Sequence, residues 1–157
     1  NTLTSAGNLA RDLSALGEHT AARQLDEDTL TRRRILGEDH PDTLTSAGNL
    51  AADLRALGEH TAARQLDEDT LTRRRILGDD HPDTLTSAGN LARDLSALGE
   101  HTAARQLDED TLTRSRRILG DDHPDTLTSA GNLARDLHAL GRDEEASEWE
   151  EWVRSRR

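Results

Sequence analysis

Six of the seven histidines recur at two fixed positions: His19, His60 and His101 at one, His40, His81 and His123 at the other. Imidazoles beside aspartates suggest a metal, since both are common ligands. The spacing argues against it, because no His-x-x-x-His pair and no Glu-x-x-His cluster falls on one helix face. No metal or other cofactor is expected. Asn8, Asn49, Asn90 and Asn132 form a second recurring set. An asparagine amide both donates and accepts, so it can clamp the backbone of an extended peptide; it can equally bond a neighbouring helix and only hold a stack together. Arg11, Arg93 and Arg135 form a third set, with Ala52 in the same place in the second copy. Arginine recognises carboxylates bidentately, so this strip could read an acidic peptide. Its alternative is local pairing with Asp12, Asp94, Asp136 or nearby glutamates. Arg32, Arg33 and Arg34 follow Asp26, Glu27 and Asp28 by about a turn, which reads as a solvated ion-pair face near a helix C-terminus. Glycine-rich phosphate loops, nucleophile elbows and metal spacings are missing from the sequence, so no enzyme is expected.

These residues recur because the chain repeats itself. The string TLTSAGNLA starts at Thr2, Thr43, Thr84 and Thr126. A period of about 41 residues means stacked supersecondary units that contact mainly their neighbours. Pro41, Pro82 and Pro124, each inside Asp-His-Pro-Asp, suit the first turn of a helix. Gly17 and Gly37 are stop signals. The first repeat therefore reads as helix A over 2–16 and helix B over 19–36. On helix A, Thr2, Leu3, Ala6, Leu9, Ala10, Leu13 and Leu16 share an arc of about 140°. On helix B, Ala22, Leu25, Thr29 and Leu36 form a narrow stripe. One hairpin cannot bury either stripe, so the next repeat must cover it. Ser115 is an extra residue in the third repeat, and a longer last turn or a π-bulge should absorb it. In the last unit Ala146, Trp149 and Val153 take the places of Ala22, Leu25 and Thr29, with Trp152 close by. This predicts a C-terminal capping helix that closes the seam. The first helix carries no comparable cap, so its Leu/Ala face invites end-to-end association.

Composition agrees with an open stack. Only 32% of the 157 residues are apolar, and aromatics make up 1%. A net charge of −11 argues against nucleic acid or an anionic membrane as partner. The chain has no cysteine, no apolar run long enough to span a membrane and no signal-peptide pattern, so a cytoplasmic setting is expected. It starts at Asn1 inside a repeat, which reads as a fragment of a longer protein.

The string NLA-xx-L-xx-LG-xxx-AA-xx-L, followed by RR-x-LG-x-DHPDTL, resembles the long, 42-residue kind of tetratricopeptide repeat. Kinesin light chains carry that kind, as do the arrays of many bacterial signalling NTPases with an NB-ARC-like module. The resemblance covers essentially the whole chain. It implies an all-α, right-handed α-solenoid of about four helix-turn-helix repeats, approximately 1–42, 43–83, 84–125 and 126–157, in one domain. It also implies a bacterial source. The sequence departs from the short-repeat pattern at His19, Asp26 and Thr29, where two aromatics and a small alanine are usual.

In that family the A helices line a concave groove that binds an extended peptide or a partner helix. Carried over, the groove is Thr4, Asn8 and Arg11, then Thr45 and Asn49 beside Ala52, then Thr86, Asn90 and Arg93, then Thr128, Asn132 and Arg135. On helix A the first three lie opposite the apolar arc. The expected function is a protein-interaction scaffold whose groove takes a protein or peptide, acidic if the arginine strip reads it. The alternative is a structural or self-assembly element, or the sensor arm of a signalling NTPase, working through its ends.

Overall fold

Asp-His-Pro-Asp starts a helix wherever it occurs. Pro41, Pro82 and Pro124 occupy the first turn, and the preceding His40, His81 and His123 are extended N-caps. Each histidine accepts a hydrogen bond through Nδ1 from the backbone N–H of Asp42, Asp83 or Asp125, at 3.1 Å in all three cases. The cap satisfies one of the N–H groups that a helix start leaves over. That is the structural use of three of the recurring histidines.

A computed structural model describes residues 2–157; Asn1, which opens the first repeat, lies outside them. The described residues form α1 (Thr2–Ala15), α2 (His19–Arg33), α3 (Pro41–Ala56), α4 (His60–Arg74), α5 (Pro82–Ala97), α6 (His101–Leu119), α7 (Pro124–Ala139) and α8 (Asp143–Arg154). The odd-numbered elements are the A helices and the even-numbered ones the B helices. Gly17, Gly58, Gly99 and Gly141 turn each A helix into its B helix with φ between 76° and 82°. Only glycine adopts that backbone without strain.

The backbone divides into two compact units, Asn1–Ile76 and Leu77–Arg157. In the first, α1 packs on α2, α2 on α3 and α3 on α4. Its core is Leu30, Ala47, Leu50, Ala51, Leu54 and Ala63, with Leu66 against it. In the second, α5 packs on α6, α6 on α7 and α7 on α8. Its core joins Leu112, Leu127, Ala130, Leu133, Ala134 and Leu137 to Ala146 and Val153, flanked by Trp149 and Trp152. The two indoles meet edge to face at 5.5 Å, and Arg116 and Arg156 lie over Trp152 at 5.2 and 4.5 Å. α8 is therefore the capping helix that its composition predicts.

The B-helix stripe differs from the expected one. Ala22 and Thr29 are buried, but Leu36 is 54% exposed, while Asp26 and Leu30 are buried in its stead. A 3₁₀ turn, Arg34–Leu36, follows α2; its tighter winding carries Leu36 off the helical stripe. In the third repeat the extra residue takes the longer-turn solution. α6 continues as one α-helix to Leu119, and Ser115 is buried at 2% exposure. The A-helix arc is buried on α3 and only partly on α1, where Leu9 is 52% and Leu16 77% exposed.

The arginine runs tie successive repeats together. Arg73 bonds Asp39 at 2.7 Å, Arg114 bonds Asp80 at 2.7 Å and Arg156 bonds Asp122 at 2.9 Å. Arg73 and Arg114 lie on B helices and Arg156 just beyond α8, and each reaches the loop aspartate 34 residues earlier. Arg32 instead pairs with Asp28 on its own helix at 2.9 Å. Exposed pairs of this kind contribute about 1 kcal/mol or less each.

Candidate functional site

In unit 2 the expected groove residues line a real concavity. A cleft of about 410 Å³ has Thr86, Asn90 and Arg93 of α5 on one wall and Thr128 and Asn132 of α7 on the other. Thr111, Ser115 and Leu119 of α6 also line it, as do His123 and Asp125 at the start of α7. The A helices present their polar faces to this space because their apolar arcs are spent on the core. A second cavity of about 220 Å³ lies nearby and gathers Arg93, Asn132 and Arg135 with Ser96, Asp108 and Asp136. In unit 1, Arg11 and Asn49 line a smaller cavity of about 100 Å³ together with Ser14, Asp26 and Asp53. Thr4, Asn8 and Thr45 stand exposed on α1 and α3 and do not line it.

The hydrogen-bonding state of these side chains differs along the ladder. Thr86 and Thr128 donate to the backbone oxygens of Pro82 and Pro124 at 3.1 and 3.0 Å. Their hydroxyls keep only acceptor capacity for anything in the cleft. Asn132 accepts through Oδ1 from the Arg135 guanidinium, so this pair is partly engaged by itself. Asn49 and Asn90 are half-buried and line the unit 1 and unit 2 cavities respectively.

Two features of the groove were not legible as site residues in the sequence. The first is a glycine in the middle of every A helix: Gly7, Gly48, Gly89 and Gly131. A Cβ added at any of them would meet open space. Mid-helix glycine costs about 1 kcal/mol against alanine, and packing does not require it here. Gly89 lines both unit 2 cavities, where a bare backbone lets a ligand approach closely. The signal was present in the repeated TSAGNLA string.

The second feature is a buried pair of carboxyls where one repeat meets the next inside each unit. Asp26 of α2 faces Asp53 of α3, and Asp108 of α6 faces Asp136 of α7. All four are at most 4% exposed. Asp53 Oδ2, Asp108 Oδ1 and Asp136 Oδ2 have no donor among the described residues. Burial, and then the facing acid, pushes the Asp26 carboxyl up to about 8. The same causes push Asp108 up to about 9, and burial also raises Asp136. Two buried carboxylates this close cannot both ionise cheaply, so each pair shares one proton at neutral pH. Arg11 acts on Asp26, and Arg93 and Arg135 act on Asp108, each pulling the other way. The groove arginines thus balance charge buried beneath them, a role the sequence reading assigned only to neighbouring acids such as Asp136.

The remaining recurring histidines sit at the A-to-B turns. Ser14 and His19 approach to 3.2 Å, and Ser96 and His101 to 3.4 Å. His138 replaces the serine in the last unit and bridges Asp143 and Glu150 at 2.8 and 2.6 Å. Those two carboxylates raise its imidazole above the usual range.

A family model described as tetratricopeptide repeat matches residues 1–76, 48–117 and 83–157. Among solved structures, the chain is 32% identical to a putative kinesin light chain of Podosopora anserina with nearly identical TPR-like repeats. That match covers 97% of this chain and 73% of the other, with a TM-score of 0.89. BtubC from P. vanneervenii matches at 18% identity over 98% of this chain and 62% of its own, with a TM-score of 0.86. MamA matches at 16% identity over 99% and 78%, with a TM-score of 0.66. These last two show the fold alone. No curated protein matches the chain by sequence. The fold class is that of the all-α tetratricopeptide solenoids, which typically act as non-enzymatic scaffolds for protein–protein interaction. Among the described residues no helix is long and apolar enough to cross a membrane. From its first repeat to its last, the chain belongs to the tetratricopeptide repeat family.

Proposed function

We propose that the A-helix groove binds an extended segment of a partner protein. The observation that carries this reading is the unit 2 cleft of about 410 Å³, walled by Thr86, Asn90 and Arg93 on one side and Thr128 and Asn132 on the other. Such a wall can work as a ladder for a peptide backbone: Asn90 offers a donor and an acceptor, Asn132 its amide donors, and each threonine oxygen a further acceptor. Arg93 and Arg135 are exposed residues and can take acidic side chains of the segment. Within unit 1, Thr4, Asn8, Arg11, Thr45 and Asn49 make up the corresponding A-helix face.

Selection of a random peptide library on the immobilised array tests this, with an array carrying Arg11→Glu, Arg93→Glu and Arg135→Glu as control. Enrichment of a defined motif is expected, with its acidic positions lost on the control. Failure to enrich any sequence on either array would oppose the groove. It would favour a second reading, in which the exposed Leu9 and Leu16 of α1 pack on another copy or on an adjoining part of a parent protein. Under that reading the sedimentation coefficient rises with concentration, and Leu9→Glu abolishes the rise.

A further inference from the structure

In each unit a buried carboxyl pair leaves oxygens without donors among the described residues, although arginines act on it from nearby. Asp108 and Asp136 are 3% and 2% exposed, line the cavity of about 220 Å³, and each carries an oxygen with no donor among the described residues. Ser96 stands at the same cavity, and its short side chain leaves the space open. The volume is several times the roughly 30 Å³ share of one water molecule. Unit 1 repeats the arrangement on a smaller scale, with Asp26, Asp53 and Ser14 around about 100 Å³.

The chain itself shows what this aspartate accepts. Asp67 is the counterpart of Asp26 and Asp108, one repeat on from the first and one before the second. In that repeat the place of Ser14 and Ser96 is taken by Arg55. Its Nη2 donates to Asp67 Oδ2 at 2.8 Å, with the two side chains 14% and 2% exposed. A guanidinium therefore fits this position of the repeat when the sequence provides one. Where serine stands instead, the carboxyl pair is left to share a proton.

We propose that the cavity formed by Asp108, Asp136 and Ser96 is a socket for an arginine side chain of the bound segment, with a second, tighter socket at Asp26, Asp53 and Ser14. This rests on the groove reading and gives the partner a chemistry. The incoming guanidinium replaces the shared proton and supplies donors to oxygens that lack them. Arg93 of α5, Arg135 of α7 and His101 of α6 also act on the unit 2 pair. The arginines repel a cation, so residues flanking the arginine in the segment should be acidic and pair with them. The partner motif is an arginine between glutamates or aspartates, with one proton released on binding.

The test titrates the full chain with the peptide acetyl-Gly-Glu-Arg-Glu-Gly-amide and with its twin carrying neutral citrulline for arginine, by calorimetry in two buffers of different ionisation enthalpy. The arginine peptide is expected to bind at least about tenfold tighter and to release a proton. Arg11→Ala and Ser14→Arg with Arg93→Ala and Ser96→Arg copy the Ala52 and Arg55 arrangement of the second repeat, fill both sockets from within and should remove that preference. Equal affinity for the two peptides, a preference that survives this combined variant, or no binding of the arginine peptide would each overturn the socket. Motifs enriched from the library without an arginine would leave the groove standing and the socket refuted. The citrulline comparison needs no variant, so it decides the matter even if the combined variant misfolds.

Discussion

Raising the pH from about 6 to about 8.5 is expected to weaken the fold, opposite to a protein held mainly by exposed carboxylate pairs. The cause is the buried acid pairs. Asp26 is pushed up to about 8 and Asp108 to about 9, against about 4 for an ordinary carboxylate. Between those limits the folded chain holds a proton at each pair that the unfolded chain has released. The stabilisation is complete below the unfolded value and is lost as the pH rises through the folded one. The slope is about 1.4 kcal/mol per pH unit for each pair. Asp80 and Asp121 work in the other direction, since Arg114 and Arg116 hold them below the ordinary range. Their contribution is lost on acidification, but both side chains are partly exposed and the effect is small. Maximum stability therefore falls on the mildly acidic side. Urea midpoints across this range measure the slope. Both tryptophans lie in unit 2, so fluorescence reads that unit alone while circular dichroism reads both. Asp108→Asn gives Asp136 an amide donor with no shared proton, and should flatten the fluorescence slope. A wild-type midpoint that is flat or rises from pH 6 to pH 8.5 would refute the shared proton.

Leu50→Ala is expected to cost about 2–5 kcal/mol, and Leu9→Ala about 0.5 kcal/mol or less, although both leucines sit in the same nine-residue string. Leu50 is 8% exposed and lies in the unit 1 core with Leu30, Ala47 and Leu54. α3 is covered on both sides within its unit, by α2 and α4. Leu9 is 52% exposed on α1, which packs on α2. Removing Leu50 opens a cavity in a core made largely of leucine and alanine, where the small alanines offer little that can collapse into it. Thermal or urea unfolding of both variants measures the contrast. Equal costs at the two positions would mean that the α1 face is covered in solution, which is the outcome the self-association reading requires.

That contrast also marks what the sequence could and could not show. The period, the glycine and proline punctuation and the leucine spacing were enough for helix pairs, a capping helix and the polar face of the A helices. They were enough because each is local: a turn residue or a helical face is specified within one repeat. Burial was not local. Identical strings place Leu9 and Leu50 in different surroundings, because the neighbouring helix decides. Asp26 was visible only as a departure from the usual aromatic. That it is buried against Asp53 required the packing of α2 on α3. Leu36 read as part of the seam because helical periodicity was assumed through Arg34, where the chain tightens into a 3₁₀ turn. The groove residues followed from a resemblance, and their placement around unit 2 cavities is geometry. Occupancy of the groove remains the proposal.

Backbone amide shifts of the isotope-labelled chain, followed on adding the peptide most enriched in the library selection, test that proposal most directly. Groove binding predicts saturable shifts on the A-helix faces, at Thr86, Gly89, Asn90 and Arg93 of α5 and at Thr128 and Asn132 of α7, with the outer surface of α8 unmoved. Shifts confined to α1 around Leu9 and Leu16, or to the outer faces of the B helices, would contradict it and place the working surface elsewhere on the repeats.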